Sequence, residues 1–492
     1  MDRRWLIAAL LVTRSAVAGA GAPSGASEPA AGGGLSPDGR AGLRAMVEAG
    51  RVPDLAWTDF TACRDDVSRF YQAGADDLAW VRGGVPTGQA RSVARALEAA
   101  ARLGLDPDDY DGPAWRDRIE ALDARAPAPE QELVRFDVGL TVSAIRYVSD
   151  LSAGRLGART GVGNVGRVRL ARAAGEEHVE LAAFVRGLLG AADVDAALAA
   201  AEPPFATYRR TVAAFQRYLE LAAAGDVQLA ARAEQLKLTI ERWRWLPHGF
   251  PVPPLVVNIP EFRLHVVDPT APWSMKVVVG RAYRHRTPVF SAEMTQVIFH
   301  PAWFVPLSIQ REDLVPRVEK DAGFLAEGGY EILDSRGGGV GVAPADAVEG
   351  LRSGALRLRQ LPGPANALGA VEFVFPNPQG IFLHGTPAQE LFARARRDFS
   401  HGCIRVEDPL ALAAWVLRDE PGWTLDRVRA AMDGSETIAV KLAHRTPVLV
   451  LYGTAVVAES GEVTFLDDVY GRDAALARAL DRESALRREP RP

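Results

Sequence analysis

The run Ser400-His401-Gly402-Cys403-Ile404-Arg405 sets one of only two cysteines beside a histidine, a glycine and an arginine, and His384-Gly385-Thr386 lies a short way upstream. That company suits a thiolate nucleophile. A free thiol, with a pKa of about 8.5, is only slightly ionised at neutral pH, so a useful cysteine needs a base or a positive group at its side. Cys403 is the candidate nucleophile, with His384 or His401 as its base; residue types alone do not choose between the two imidazoles. Arg405 is a positive group two residues from the thiol. The amides of Gly402 and Cys403, in a turn shared with Ser400 and His401, are candidates for holding a developing oxyanion.

Positioning these groups requires particular elements. Gly380 to His384 reads as a short buried strand, and Gly385 permits a sharp turn after it. A helical run from Pro387 to Arg397 would return the chain toward Ser400. Strand, helix and glycine turn together would bring Cys403 within hydrogen-bond reach of His384. Downstream, Asp408-Pro409 followed by Leu410, Leu412, Trp415 and Val416 reads as a helix start, whose amino end favours negative charge nearby.

The rest of the chain divides by texture. Residues 40–224 are mainly helical, with apolar residues at three- and four-residue spacing from Ala90 to Leu103 and from Leu133 to Leu151. Leu229, Ala233, Leu236, Ile240 and Trp243 mark a connecting helix within 225–253. From Pro254 the pattern turns to short strands, so 254–475 reads as a β-rich sandwich or partial barrel with a few helices. Residues 306–361, including Gly337-Gly338-Gly339, form a helical, glycine-rich insertion, and 476–492 a tail. The fold class is α+β: a helical amino-terminal domain, then a β-rich domain with an inserted helical cap. Trp303, Phe382 and Asn366 are candidate cleft residues, although core aromatics and a turn asparagine fit the same pattern.

Composition narrows the class. A net charge of -5, with 48% hydrophobic and 24% charged residues, is ordinary for a globular protein and carries no nucleic-acid footprint. The cluster Arg394, Arg396 and Arg397 reads as a solvated helix face. Arg3 and Arg4, an apolar run from Trp5 to Val12 and small residues from Ala16 to Ala20 read as a secretory signal over 1–20, with Asp2 and Arg14 as departures from that pattern. Its apolar run is too short to span a bilayer, although an uncleaved anchor is an alternative. Residues 21–39 read as a Gly-, Ala-, Ser- and Pro-rich linker. Cys63 reads as a buried thiol, since a bridge to Cys403 would silence the nucleophile. Neither metal-ligand spacing nor a phosphate-binding motif stands out, so no cofactor is expected.

The pattern of His-Gly-Thr followed by Ser-His-Gly-Cys-x-Arg resembles the catalytic signature of the YkuD-type L,D-transpeptidases, cysteine enzymes that cross-link bacterial peptidoglycan. Further segments resemble the large YcbB-type branch: Glu241 to Pro247, Val278 to Arg281, Thr287 to Phe290, His300 to Pro306, Pro362 to Gly369 and Phe375 to Asn377, with Phe70-Tyr71, Trp80, Gly104 to Pro107 and Phe136 to Thr141 echoing its scaffold domain. The resemblance implies Cys403 as nucleophile and His384 as base, oriented by the Gly385 carbonyl, with His401 in a structural role and Arg405 holding the turn or an anionic substrate group. It also implies that 306–361 is a capping lid and that carbapenems acylate Cys403. The expected activity is 3-3 cross-linking between meso-diaminopimelate residues, in the periplasm, serving cell-wall biogenesis and shape. Carboxypeptidase activity, lipoprotein anchoring and a non-catalytic peptidoglycan-binding scaffold are the alternatives. Expected partners are stem peptides and other wall-synthesis enzymes. Residues 222–227 are too few to hold the peptidoglycan-binding module that many relatives insert there.

Overall fold

The computed structural model describes residues 34–156, 180–268, 270–321 and 323–488. The expected signal segment and residues 21–33 of the expected linker lie outside them. The chain divides into two compact units, Phe250–Gly453 and the described parts of Ala9–Gly249 with Thr454–Pro492.

The helical unit is built around helix Glu130–Ala153, which is buried on nearly every side and therefore needs internal partners for its polar residues. Asp137 is such a case. Its carboxylate accepts from the Tyr71 hydroxyl at 2.7 Å and from the amides of Ala79 and Trp80 at 3.0 and 2.7 Å, tying helix Arg64–Gln72 to the start of the hairpin formed by β1 (Val81–Arg82) and β2 (Val85–Pro86). Thr141, one turn on, accepts from the Trp80 indole at 2.9 Å. The first helix begins at Pro37, capped by the Ser36 hydroxyl, with Leu35 buried, so the last residues expected as linker are already part of this core. Helix Ala206–Ala222 passes directly to helix Val227–Arg244.

The other unit is a rolled sheet. β3 (Leu255–Asn258), β4 (Arg263–Val266), β5 (Trp273–Gly280) and β6 (Phe290–Phe299) precede the cap, whose own small sheet is β7 (Trp303–Phe304), β8 (Tyr330–Leu333) and β9 (Arg357–Gln360). β10 (Val371–Val374), β11 (Leu383–His384), β12 (Asp398–Ser400), β13 (Ile404–Val406) and β14 (Ile438–Leu451) complete it. The order is β12-β5-β13-β11-β10-β6-β14-β3-β4, and β4 pairs back onto β5, closing the sheet into a barrel with β12 on its rim. β5 is paired on both edges, and Val277, Val278 and Val279 are all buried, so both of its faces are covered at this end. Phe299, Val371, Phe373, Leu383, Ile404 and Val448 are fully buried in this unit.

The cap runs from β7 to β9, close to the expected 306–361. It has a separate apolar core of Val305, Val315, Val318, Leu351 and Leu358. Gln310, wholly buried, donates to the carbonyls of Leu351 and Leu356 and accepts from the Leu358 amide, so one side chain knots the insertion together. The three glycines 337–339 form a surface turn closed by Asp334.

Two expectations need correction. The β-rich unit ends at Gly453, not at 475: β15 (Ala455–Val457) and β16 (Val463–Phe465) form a hairpin of the helical unit, held by Gln235, which donates to the carbonyls of Thr454 and Leu466 at 2.7 and 2.9 Å. Nor are residues 476–492 a plain tail, because helix Arg472–Arg488 buries Arg487 against Asp150 at 2.7 Å and Asp109 at 3.2 Å. Burying that guanidinium is tolerated because two carboxylates meet it, one of them also accepting from the Tyr110 hydroxyl, and removing one partner of such a cluster costs about 3–5 kcal/mol.

Candidate active site

The carboxyl-terminal half of the site is one strand pairing. β11 and β13 run parallel, with Leu383 beside Ile404 and His384 beside Arg405. Leu383 and Ile404 point into the barrel core and are fully buried, so alternation turns Phe382, His384, Cys403 and Arg405 to the opposite face. On its other edge β11 pairs with β10, which places Glu372 directly opposite His384. Glu372, His384 and Arg405 thus form one row across three strands.

His384 is buried, and its Nδ1 lies 2.6 Å from the Gly385 carbonyl oxygen. A carbonyl only accepts, so Nδ1 carries the proton and Nε2 keeps the lone pair that a base needs. Burial, and then the positive charge of Arg405, push the imidazole pKa down to about 3, against the opposing pull of the Gly385 and Leu368 carbonyls. The Cys403 thiol, half-buried, meets the Gly380 carbonyl at 3.8 Å. Burial pushes it up to about 11; the Phe382 backbone N–H and Arg405 favour the thiolate, while Glu372 disfavours it. The resting pair is accordingly neutral thiol and neutral imidazole.

The turn carrying Cys403 is fixed by two hydroxyls. The Ser400 hydroxyl donates to the Cys403 carbonyl at 2.5 Å and accepts from the Gly402 amide at 3.1 Å. That bond occupies the Gly402 N–H, so of the two expected oxyanion donors only the Cys403 amide has no acceptor among the described residues. Thr287, wholly buried, accepts from the Gly280 amide at 2.9 Å and donates to the Gly402 carbonyl at 2.7 Å. Gly402 has φ +118°, a conformation that side chains with a Cβ rarely adopt.

His401 turns to the cap. Its Nε2 lies 2.8 Å from the Asp313 carboxylate, and its ring packs 4.5 Å from that of His285, which pairs with Glu312 at 3.3 Å. Burial lowers its pKa although Asp313 opposes the shift. His384 therefore shares the outward sheet face with Cys403, whereas the ring of His401 is engaged by Asp313 and His285.

The remaining expected site residues divide. Phe382 lies on the same face as His384, its ring 5.6 Å from the imidazole and its carbonyl accepting from the Ile404 amide. Arg405 shares that face, with its Nε buried and without a hydrogen-bond partner among the described residues. Asn366 does not belong to the site: its amide donates to the carbonyls of Pro301 and Leu361 and its oxygen accepts from the Leu368 amide, leaving no group for substrate. Trp303 packs on the core of the cap. The expected helix from Pro387 to Arg397 is a single 3-10 turn at Gln389–Ala393, because the next residues are captured by the free edge of β5, where the Arg397 carbonyl accepts from the Val279 amide. Arg397 is not solvated but buried, donating to the carbonyls of Val277 and Phe262.

Residues 254–450 match the model of the L,D-transpeptidase catalytic domain, YkuD, and residues 65–215 match that of the scaffold domain. The chain has the scaffold-plus-YkuD architecture of the YcbB-type L,D-transpeptidases. A Haemophilus influenzae protein named "Putative L,D-transpeptidase" is 32% identical over 269 residues, covering 54% of this chain and 52% of that protein. The chain therefore aligns with about half the length of that relative.

Two residues of the YkuD domain escaped the reading of the sequence. Thr287 was noted only within a family segment, without a role. Glu372 interrupts Val371-Glu372-Phe373-Val374-Phe375, and a carboxylate on the outward phase of an otherwise apolar strand was the available signal.

Proposed function

We propose that the protein is a peptidoglycan L,D-transpeptidase that forms 3-3 cross-links between meso-diaminopimelate residues through a thioester on Cys403, acting after export to the periplasm. The observation that carries this reading is the tautomer of His384, whose Nδ1–H is tied to the Gly385 carbonyl so that Nε2 is free on the face that bears the thiol. As sulfur attacks the carbonyl of the third stem residue, its proton passes to Nε2 and the oxygen becomes an oxyanion facing the Cys403 amide. Collapse breaks the C–N bond. The imidazolium returns the proton to the departing amine of D-alanine, leaving the thioester. An acceptor amine then attacks, the C–S bond breaks and sulfur regains a proton through Nε2.

The test is incubation of the protein and its Cys403→Ala variant with disaccharide tetrapeptide, followed by mass analysis. Expected from the unmodified protein are D-alanine and a cross-linked dimer, and from the variant neither. D-alanine without dimer would reassign the activity to a carboxypeptidase, transfer only to a lipoprotein lysine would make it an anchoring enzyme, and no D-alanine would refute the acyl-transfer reading. A carbapenem should add its mass to Cys403 in the unmodified protein only.

A further inference from the structure

Glu372 stands in the site without a use in the mechanism above. Its backbone is paired with His384 on β11 and with Ile298 on β6, so its side chain rises between an imidazole and an aliphatic residue on the face that bears Cys403. Among the described residues its carboxylate has neither a hydrogen-bond nor an ion-pair partner. Burial alone moves it, raising its pKa to about 6, and its charge is felt at the Cys403 sulfur. The cation of the row, Arg405, lies beyond His384 and interacts with Arg281, Cys403 and Glu390.

A half-buried carboxylate with no partner costs stability and makes the thiol harder to ionise, so it works against the acylation step. A cationic ligand beside it would reverse both penalties. The second half of the proposed reaction brings such a ligand, because an acceptor amine arrives as an ammonium at neutral pH, whereas water arrives uncharged. We propose that Glu372 is the acceptor-side anchor, receiving the ammonium of the incoming stem peptide next to His384 and setting how the thioester partitions between amine and water. This rests on the transpeptidase reading and assigns the acceptor class within it. In the step itself the ammonium sheds one proton to solvent by way of Glu372. The free amine attacks the thioester carbon, a C–N bond forms and the C–S bond breaks, and the second proton lost by nitrogen passes through His384 Nε2 to sulfur.

The experiment compares the full chain with Glu372→Gln and Glu372→Asp, supplying disaccharide tetrapeptide as donor and measuring D-alanine, hydrolysed product and dimer. Hydroxylamine, a nucleophile that is uncharged near neutral pH, is added in parallel as a trap for the thioester. Glu372→Gln should lower the ratio of dimer to hydrolysed product by at least about tenfold, the lower end for a close charge pair, while D-alanine release and hydroxylamine trapping stay at or above those of the unmodified protein. Glu372→Asp, which keeps the charge, should recover part of the ratio. An unchanged ratio with D-alanine release intact would overturn the anchor and leave the transpeptidase reading standing. Equal losses of hydroxylamine trapping and dimer would also overturn it, by placing Glu372 in the acylation step. Absence of D-alanine from the unmodified protein would instead sink the underlying reading.

Discussion

Alkylation of Cys403 by iodoacetamide as a function of pH probes the electrostatics of the site without any substrate. With its thiol pushed up to about 11, against about 8.5 for a free cysteine, only about one molecule in ten thousand carries a thiolate at pH 7. The alkylation rate, which follows the thiolate, should therefore climb about tenfold for each pH unit from about 7 to about 10 without levelling off. Below that range the slope should soften. Glu372, itself raised to about 6, loses its charge there, and the repulsion that opposes the thiolate fades with it. His384 stays neutral down to about 3, so it contributes no inflection in this window. The assay is intact-mass kinetics on a Cys63→Ser background, which leaves Cys403 as the single cysteine. Glu372→Gln should raise the rate at fixed pH and remove the soft region, whereas Arg405→Gln should lower the rate, since its charge favours the thiolate. A rate that plateaus between about 6 and 8 would mean a preformed thiolate–imidazolium pair and would refute the neutral resting state.

Two further outcomes follow from the hydrogen bonds. Thr287→Val keeps the shape but strips the bonds to the Gly280 amide and the Gly402 carbonyl, a loss of about 2–4 kcal/mol at the turn that carries the nucleophile; kcat for D-alanine release should fall at least about tenfold and Thr287→Ser should restore it, and unchanged kinetics would show that the turn holds without this clamp. Asp137→Ala leaves the Tyr71 hydroxyl and the Ala79 and Trp80 amides without this acceptor in the scaffold core, at about 1–3 kcal/mol each, so the Tm of the helical unit should drop by at least about 6 °C. A shift of a degree or less in calorimetry would contradict that role.

What could be read in advance was whatever is written in neighbouring residues. Ile404 is apolar between Cys403 and Arg405, which already puts those two side chains on one face, and Ile381 to Leu383 form a continuous apolar run that marks a buried strand ending at His384. The change from helical to strand periodicity at Pro254 gave the domain order for the same reason, since each element buries a face of its own sequence. The readings that failed depend on partners far away in the chain. Arg397 and Arg487 look like solvated charges in sequence, and a guanidinium carries no local mark of burial. It becomes a core residue only when acceptors arrive from elsewhere, the Phe262 and Val277 carbonyls in one case and Asp109 and Asp150 in the other.

The same reasoning separates the two histidines better than motif proximity does. His401 is adjacent to the Gly402-Cys403 turn in sequence, yet its ring is claimed by Asp313 and His285, both brought in by other segments. His384 is nineteen residues from Cys403 in sequence, yet strand pairing sets it beside Arg405, two residues from Cys403, with its Nδ1 held by the carbonyl of the very next residue. A base is defined by which nitrogen is left without a proton and which way the strand turns it. Gly385 supplies the first condition through its backbone and the β11–β13 register supplies the second, so neither condition needs a third acidic side chain. That explains why the one carboxylate standing opposite His384, Glu372, is left free to act on something other than the imidazole.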